Sequence, residues 1–137
     1  MADRRREPVH LLDANVLIAL AVEDHVHHDL VQGWMTTRRR CATSPTTQGA
    51  LVRFLVREGV TGADAQRFTA SLTADRRFSF WPDAIGYDAV DLSTVIGHRQ
   101  VTDAYLAALA RSAGGRLATL DRGLAVVHPD VVELIAA

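Results

Sequence analysis

Short apolar runs alternate with helically periodic stretches along the chain, and three of the turning points carry an aspartate. Val9-His10-Leu11-Leu12 runs into Asp13, and Leu117-Ala118-Thr119-Leu120 runs into Asp121. Asp103 follows Thr102 at the start of a helical stretch. Such alternation predicts a mostly parallel sheet with helices on both faces, a three-layer α/β/α fold in one domain over residues 1–137. In a parallel sheet, strand ends and helix starts meet along one edge, where such folds bind ligands. Three carboxylates gathered there repel one another unless a cation sits among them. The pattern points to a divalent metal held by Asp13, Asp103 and Asp121.

The expected strands cover residues 9–12, 41–43, 78–81, 116–120 and 131–135. Helices are expected over 15–22, 26–37, 45–57, from 61 or 62 to 73, and over 88–96. A further helix is expected to be capped by Thr102 and stopped by Gly114-Gly115. Pro45 suits a first helical position, and Gly59 suits the residue just past a helix end.

Composition removes several rival chemistries. The fifteen basic residues balance sixteen acidic ones, so no polycationic surface exists to coat nucleic acid. All fifteen are arginine, which excludes a lysine Schiff base and a P-loop. A phosphoacceptor receiver domain also places acids at strand ends, but it relies on a lysine that this chain lacks. Cys41 is the sole cysteine, so one chain can build neither a disulfide nor a thiolate zinc site. It reads as a packed core thiol. The bunched His25, His27 and His28 read as a turn and helix start. No apolar run approaches the length of a membrane span, and no apolar signal core follows the polar N-terminus, so a cytoplasmic protein is expected.

At this point the motifs carry a resemblance. Residues 101–110, VTDAYLAALA, and residues 114–124, GGRLATLDRGL, resemble the C-terminal half of a PIN domain. Residues 11–18, LLDANVLI, resemble its start. More narrowly the chain resembles VapC-type toxins of bacterial toxin–antitoxin pairs. The resemblance implies a PIN-like fold and an endoribonuclease using Mg2+ or Mn2+. It implies metal binding by Asp13, Asp103 and Asp121, and products with a 5′ phosphate. It also implies a tRNA, rRNA or mRNA substrate, a homodimer, and a small antitoxin partner whose tail covers the active site. One position departs from the family: Gln48, in Thr46-Thr47-Gln48, stands where the family carries a glutamate. A degenerate PIN domain that binds RNA or antitoxin without cutting is the alternative this departure suggests.

Four neighbours complete the expected site. Asn15 is placed to bond a metal-bound water or a phosphate, or to cap a helix. Thr119 sits two residues before Asp121, on one side of the strand, and either orients a carboxylate or fills the core. Arg99 and Arg122 fall on the carboxylate edge and suit phosphates. Arg38, Arg39, Arg40 and Arg116 fall on the opposite edge.

Overall fold

A computed structural model of the protein describes residues 7–37 and 39–137; Arg38 and the first six residues lie outside the described residues. Five strands form one sheet: β1 (His10–Leu12), β2 (Cys41–Thr43), β3 (Phe78–Phe80), β4 (Arg116–Thr119) and β5 (Val132–Leu134). Their order is β3-β2-β1-β4-β5, and every neighbouring pair is parallel. The chain builds outward from β1 in one direction, then returns to build β4 and β5 on its other side. Strand order reverses between β1 and β4, and a crevice opens there at the carboxyl ends of the strands. Asp13 follows β1 directly, and Asp121 follows β4 after Leu120.

The helices are α1 (Ala14–Ala21), α2 (His28–Met35), α3 (Pro45–Arg57), α4 (Gly62–Thr73), α5 (Gln100–Ser112) and α6 (Arg122–Val127). The period of two along each strand sorts the core into halves. Leu11, Ala42 and Leu117 face α5, where Leu106, Leu109 and Ala110 meet them. Leu12, Cys41 and Ala118 face the other way, against Val16, Leu17, Val31 and Leu51 of α1 to α3. Leu11 and Leu117 are fully buried; truncating either to alanine costs about 2–5 kcal/mol.

Local chemistry accounts for most boundaries. Ser44 and Thr47 form a capping box at the start of α3, with Pro45 at its first turn. Past the ends of α3 and α5, Gly59 and Gly114 take φ of 96° and 70°, the left-handed region that glycine enters freely. At Gly115 a Cβ would lie 2.4 Å from the Val9 carbonyl oxygen, so only glycine lets α5 return this close to β1.

Three expectations need correction. Residues 88–96 are not a helix: only Tyr87–Ala89 form a 3-10 turn, and Val90 is extended. The Asp91 carboxylate accepts from Ser93 N–H at 2.9 Å, a local turn that competes with helix. Thr102 does not cap α5, which starts at Gln100, two residues earlier. Gln100 instead accepts the Ile96 N–H at 2.6 Å and folds the preceding loop onto the helix start. Finally, residues 122–127 form α6, where no helix is expected from the sequence.

Candidate metal centre and its cleft

Asp13 is buried at the N-cap of α1, its Oδ1 accepting from Ala14 N–H at 2.8 Å. Its Oδ2 accepts from the Thr119 hydroxyl at 2.7 Å. That hydroxyl also accepts from Asp121 N–H at 3.0 Å and from the Asn15 amide at 3.3 Å. One donor and two acceptor sites are all a hydroxyl owns, so Thr119 is saturated and its proton must point at Asp13. Asn15 closes the loop, its Oδ1 accepting from Leu120 N–H at 3.3 Å. Thr119 is thus the pin that ties the end of β4 to the end of β1.

Asp121 caps α6 with Oδ1 alone, accepting from Gly123 N–H at 2.8 Å and Leu124 N–H at 3.3 Å. Its Oδ2 makes no bond within the described residues. Asp103, in the first turn of α5, has no hydrogen-bond or ion-pair partner among the described residues. Its carboxyl is pushed up to about 6, first by burial, then by the charges of Asp13 and Asp121. Asp13 is likewise raised by burial, against the Thr119 and Ala14 hydrogen bonds, with Asp121 adding repulsion. No arginine is among the charges acting on either group. Asp13 and Asp103 thus feel neighbouring carboxylates and no arginine.

They line one cleft of about 720 Å3, together with Asn15, Thr94, Val95, Arg99, Gln100 and residues of α6 that include Val126 and Val127. His128, just past α6, lines it too. Among the described residues, no three or more His, Cys, Asp or Glu lie close enough to enclose a metal unaided. Mg2+ does not require such a cage; it keeps several waters and takes one or two carboxylates at ideal geometry. An all-oxygen, charge-dense and cation-free donor set fits that ion.

The structure does not bring Gln48 into this cleft. Thr43 points to the same sheet face as Cys41, and the Gln48 amide donates to its hydroxyl at 2.9 Å. Gln48 lines a separate hollow of about 530 Å3 with Val52, Gly62 and Gln66. Arg99 stands in the cleft wall; Arg122 is exposed at the start of α6 outside the lining set. Arg53 is exposed on α3. The cleft wall from α6, His128 and Thr94-Val95 escaped sequence reasoning, although Asp121 ahead of Leu124 was a usable helix-start signal.

The other candidates resolve as structural. Burial pushes the Cys41 thiol up to about 12, so no thiolate nucleophile forms there. His25 Nδ1 accepts from His27 N–H at 3.0 Å, and His28 Nδ1 bonds the Ala19 carbonyl at 2.7 Å. No helix of the described residues is long and apolar enough to cross a membrane.

A parallel sheet with carboxylates at its switch point is consistent with a PIN domain, and the PIN-domain family model matches residues 10–128. The chain belongs to this family and, within it, to the VapC ribonucleases. It is 56% identical over 126 residues to ribonuclease VapC29 of Mycobacterium tuberculosis, covering 91% of this chain and 95% of that one. It is 41% identical over 125 residues to ribonuclease VapC39 of the same organism, covering 84% and 90%. Among solved structures, Mycobacterium tuberculosis VapC20, described as a sarcin–ricin loop cleaving toxin, shares the fold with a TM-score of 0.67. The identity there is 15%, and the match covers 93% of this chain and 99% of that one. Rickettsia felis VapBC2, solved bound to a promoter DNA fragment, matches with a TM-score of 0.65 at 14% identity, covering 92% and 98%.

Proposed function

We propose that this protein is a Mg2+- or Mn2+-dependent endoribonuclease, the toxin of a toxin–antitoxin pair, acting as one domain on RNA phosphodiesters. The observation that carries the reading is the convergence of Asp13, Asp103 and Asp121 on one cleft at the switch point, where no arginine is among the charges acting on Asp13 or Asp103. When bound, the ion supplies positive charge against the phosphate and acidifies water for attack. The chain supplies the rest. Thr119 fixes the Asp13 carboxylate, and Asn15 fixes Thr119. Asp121 holds one oxygen on α6 and presents the other. Asp103 offers both oxygens once it loses its proton. Arg99, in the cleft wall, attracts backbone phosphate. Because Gln48 lies apart from the aspartates, its lack of charge does not weaken the cluster.

By likeness to the ribonuclease relatives the substrate is RNA, and by likeness to VapBC pairs the protein partner is a small antitoxin. A homodimer and a cytoplasmic site of action belong to the same reading. The test is cleavage of tRNA, rRNA and mRNA by purified protein. Cleavage with Mg2+ or Mn2+, none in EDTA, and 5′-phosphate products support it. Cleavage that survives EDTA overturns the metal assignment.

A further inference from the structure

The cleft is lined by more than the carboxylates, and His128 in its wall has a fixed tautomer that the metal chemistry does not use. His128 follows the last turn of α6 and is only 7% exposed. Its Nδ1 lies 3.0 Å from an Arg111 guanidinium nitrogen. Guanidinium only donates, so Nδ1 must accept, and the ring is held neutral with its proton on Nε2. Burial, then the Arg111 charge, lower the His128 pKa and keep it neutral. Arg111 is held in turn by two bonds to Asp130, at 2.7 and 2.9 Å. Asp130, Arg111 and His128 form a chain of fixed polarity. Nε2 has no hydrogen-bond partner among the described residues, and His128 lines the cleft.

The position is informative. Asp121 and His128 bracket α6, seven residues apart, so roughly 10 Å of helix separates the metal ligand from this donor. That separation sets His128 apart from the three aspartates along the same cleft. Between them the wall is apolar, built from Val95, Val126 and Val127. Val126 is 79% exposed, far more than a core valine tolerates. An apolar wall with one unpaired ring N–H beside it suits a splayed, unpaired base, whose face packs on the wall while its edge accepts a hydrogen bond.

We infer that His128, fixed as its Nε2–H tautomer by Arg111 and Asp130, contacts the RNA substrate and binds an unpaired nucleotide flanking the cleaved bond against Val126 and Val127. This rests on the ribonuclease reading for the identity of the ligand. Arg111 is a positioning residue, acting through His128.

The experiment compares His128→Phe, which removes the donor, with His128→Gln, which keeps an N–H at similar reach. The probe is fluorescein-labelled single-stranded RNA oligonucleotides, followed by anisotropy in EDTA and by cleavage in Mg2+. His128→Phe is expected to raise Kd and KM about tenfold, as loss of one well-made hydrogen bond does. The kcat and the Mn2+ affinity should stay at the parent value, and His128→Gln should recover most of the loss. An abasic nucleotide in the flanking position should cancel the difference between parent and His128→Phe. If only a methylphosphonate cancels it, the acceptor is phosphate and the base assignment falls. Arg111→Met should weaken binding less than His128→Phe and change the histidine 15N signature of the tautomer. If His128→Phe does not fold, His128→Met carries the same comparison. Equal Kd and KM for parent and a folded donor-free variant overturn the inference. Absence of cleavage by the parent, with His128-dependent RNA binding intact, overturns the ribonuclease reading and leaves the subsite standing.

Discussion

The two ends of the sheet both hold acids, and they treat them oppositely. On the α2 face, toward the amino ends of the strands, Glu133 is surrounded by partners. Trp34 donates to it at 2.9 Å, His10 bonds it at 3.1 Å, and Arg39 lies 3.4 Å away. Arg39 also stacks over Trp34 at 4.4 Å, and His10 meets Trp34 edge-on at 5.2 Å. Burial alone would raise the Glu133 pKa, but these hydrogen bonds and charges outweigh it and hold the group below its usual value. At the carboxyl ends, Asp13 and Asp103 are both raised, and no arginine acts on either. The fold completes one acid internally and leaves the other set to be completed from outside. Buried charge without a partner is costly, so it marks where a ligand belongs.

Mutation separates the two ends most strongly in activity. Asp13→Asn, Asp103→Asn and Asp121→Asn should each lower RNA cleavage by at least about 100-fold, beyond the 10–100-fold typical of losing a group that supports a ligand. Glu133→Gln should leave cleavage per folded molecule at the parent rate. Equal losses at both ends would erase the distinction.

Thr119→Val keeps the shape and deletes the pin. Cleavage should fall about 10–100-fold. Stability should fall by about 1–3 kcal/mol, because Asp13 Oδ2 and Asp121 N–H lose their partner. Thr119→Ser should restore most of both. Urea melts and initial rates for the three proteins decide it.

Stability should then move in opposite directions at the two ends. Glu133→Ala leaves Trp34 and His10 unpaired and should cost about 1–3 kcal/mol. Asp103→Asn should instead raise metal-free stability by about 1 kcal/mol, a figure reduced for solvent screening. The same contrast is visible in pH. The Asp103 pKa in the fold, about 6, lies above its ordinary value of 3.8. Protonation therefore favours the fold: the contribution is fully present below pH 3.8 and is lost as pH rises through about 6. Metal affinity should run the other way and weaken below pH 6. A flat metal titration between pH 5 and pH 7 would place Asp103 outside the site.

The smallest effect is expected at Gln48. Its amide bonds Thr43 on the other sheet face, so Gln48→Ala should cost about 0.5–1.5 kcal/mol. Its Mg2+ titration of cleavage should superimpose on the parent's. A shifted curve would draw α3 into the metal site and blur the line between the two faces.

Much of this arrangement was legible in the residues. Strong local signals decided α3, where Pro45 and Gly59 mark both ends, and β2, where an apolar run follows arginines. The placement of Asp13, Asp103 and Asp121 on one edge followed from strand ends and helix starts alone. The loop after β3 was not legible, because its apolar spacing imitates a helix while Asp91 turns the chain by a side-chain bond. The α6 helix is six residues with Gly123 in its first turn, so its periodicity is weak, and the Asp121 cap was its one usable signal. Its omission hid His128 and the whole far wall of the cleft. The side-chain direction of Gln48 depends on which face Thr43 takes, and that is set by sheet register, a long-range property.

The most direct measurement is a thermal melt of the parent and Asp103→Asn, each in EDTA and each in excess Mg2+ or Mn2+. In EDTA the variant should melt about 3–5 °C above the parent, as about 1 kcal/mol gives in a domain of this size. With metal, the parent should rise by mass action and overtake the variant, whose own melt barely moves. A parent that is the more stable protein in EDTA and is indifferent to metal would contradict a carboxylate cluster built to be completed by a cation.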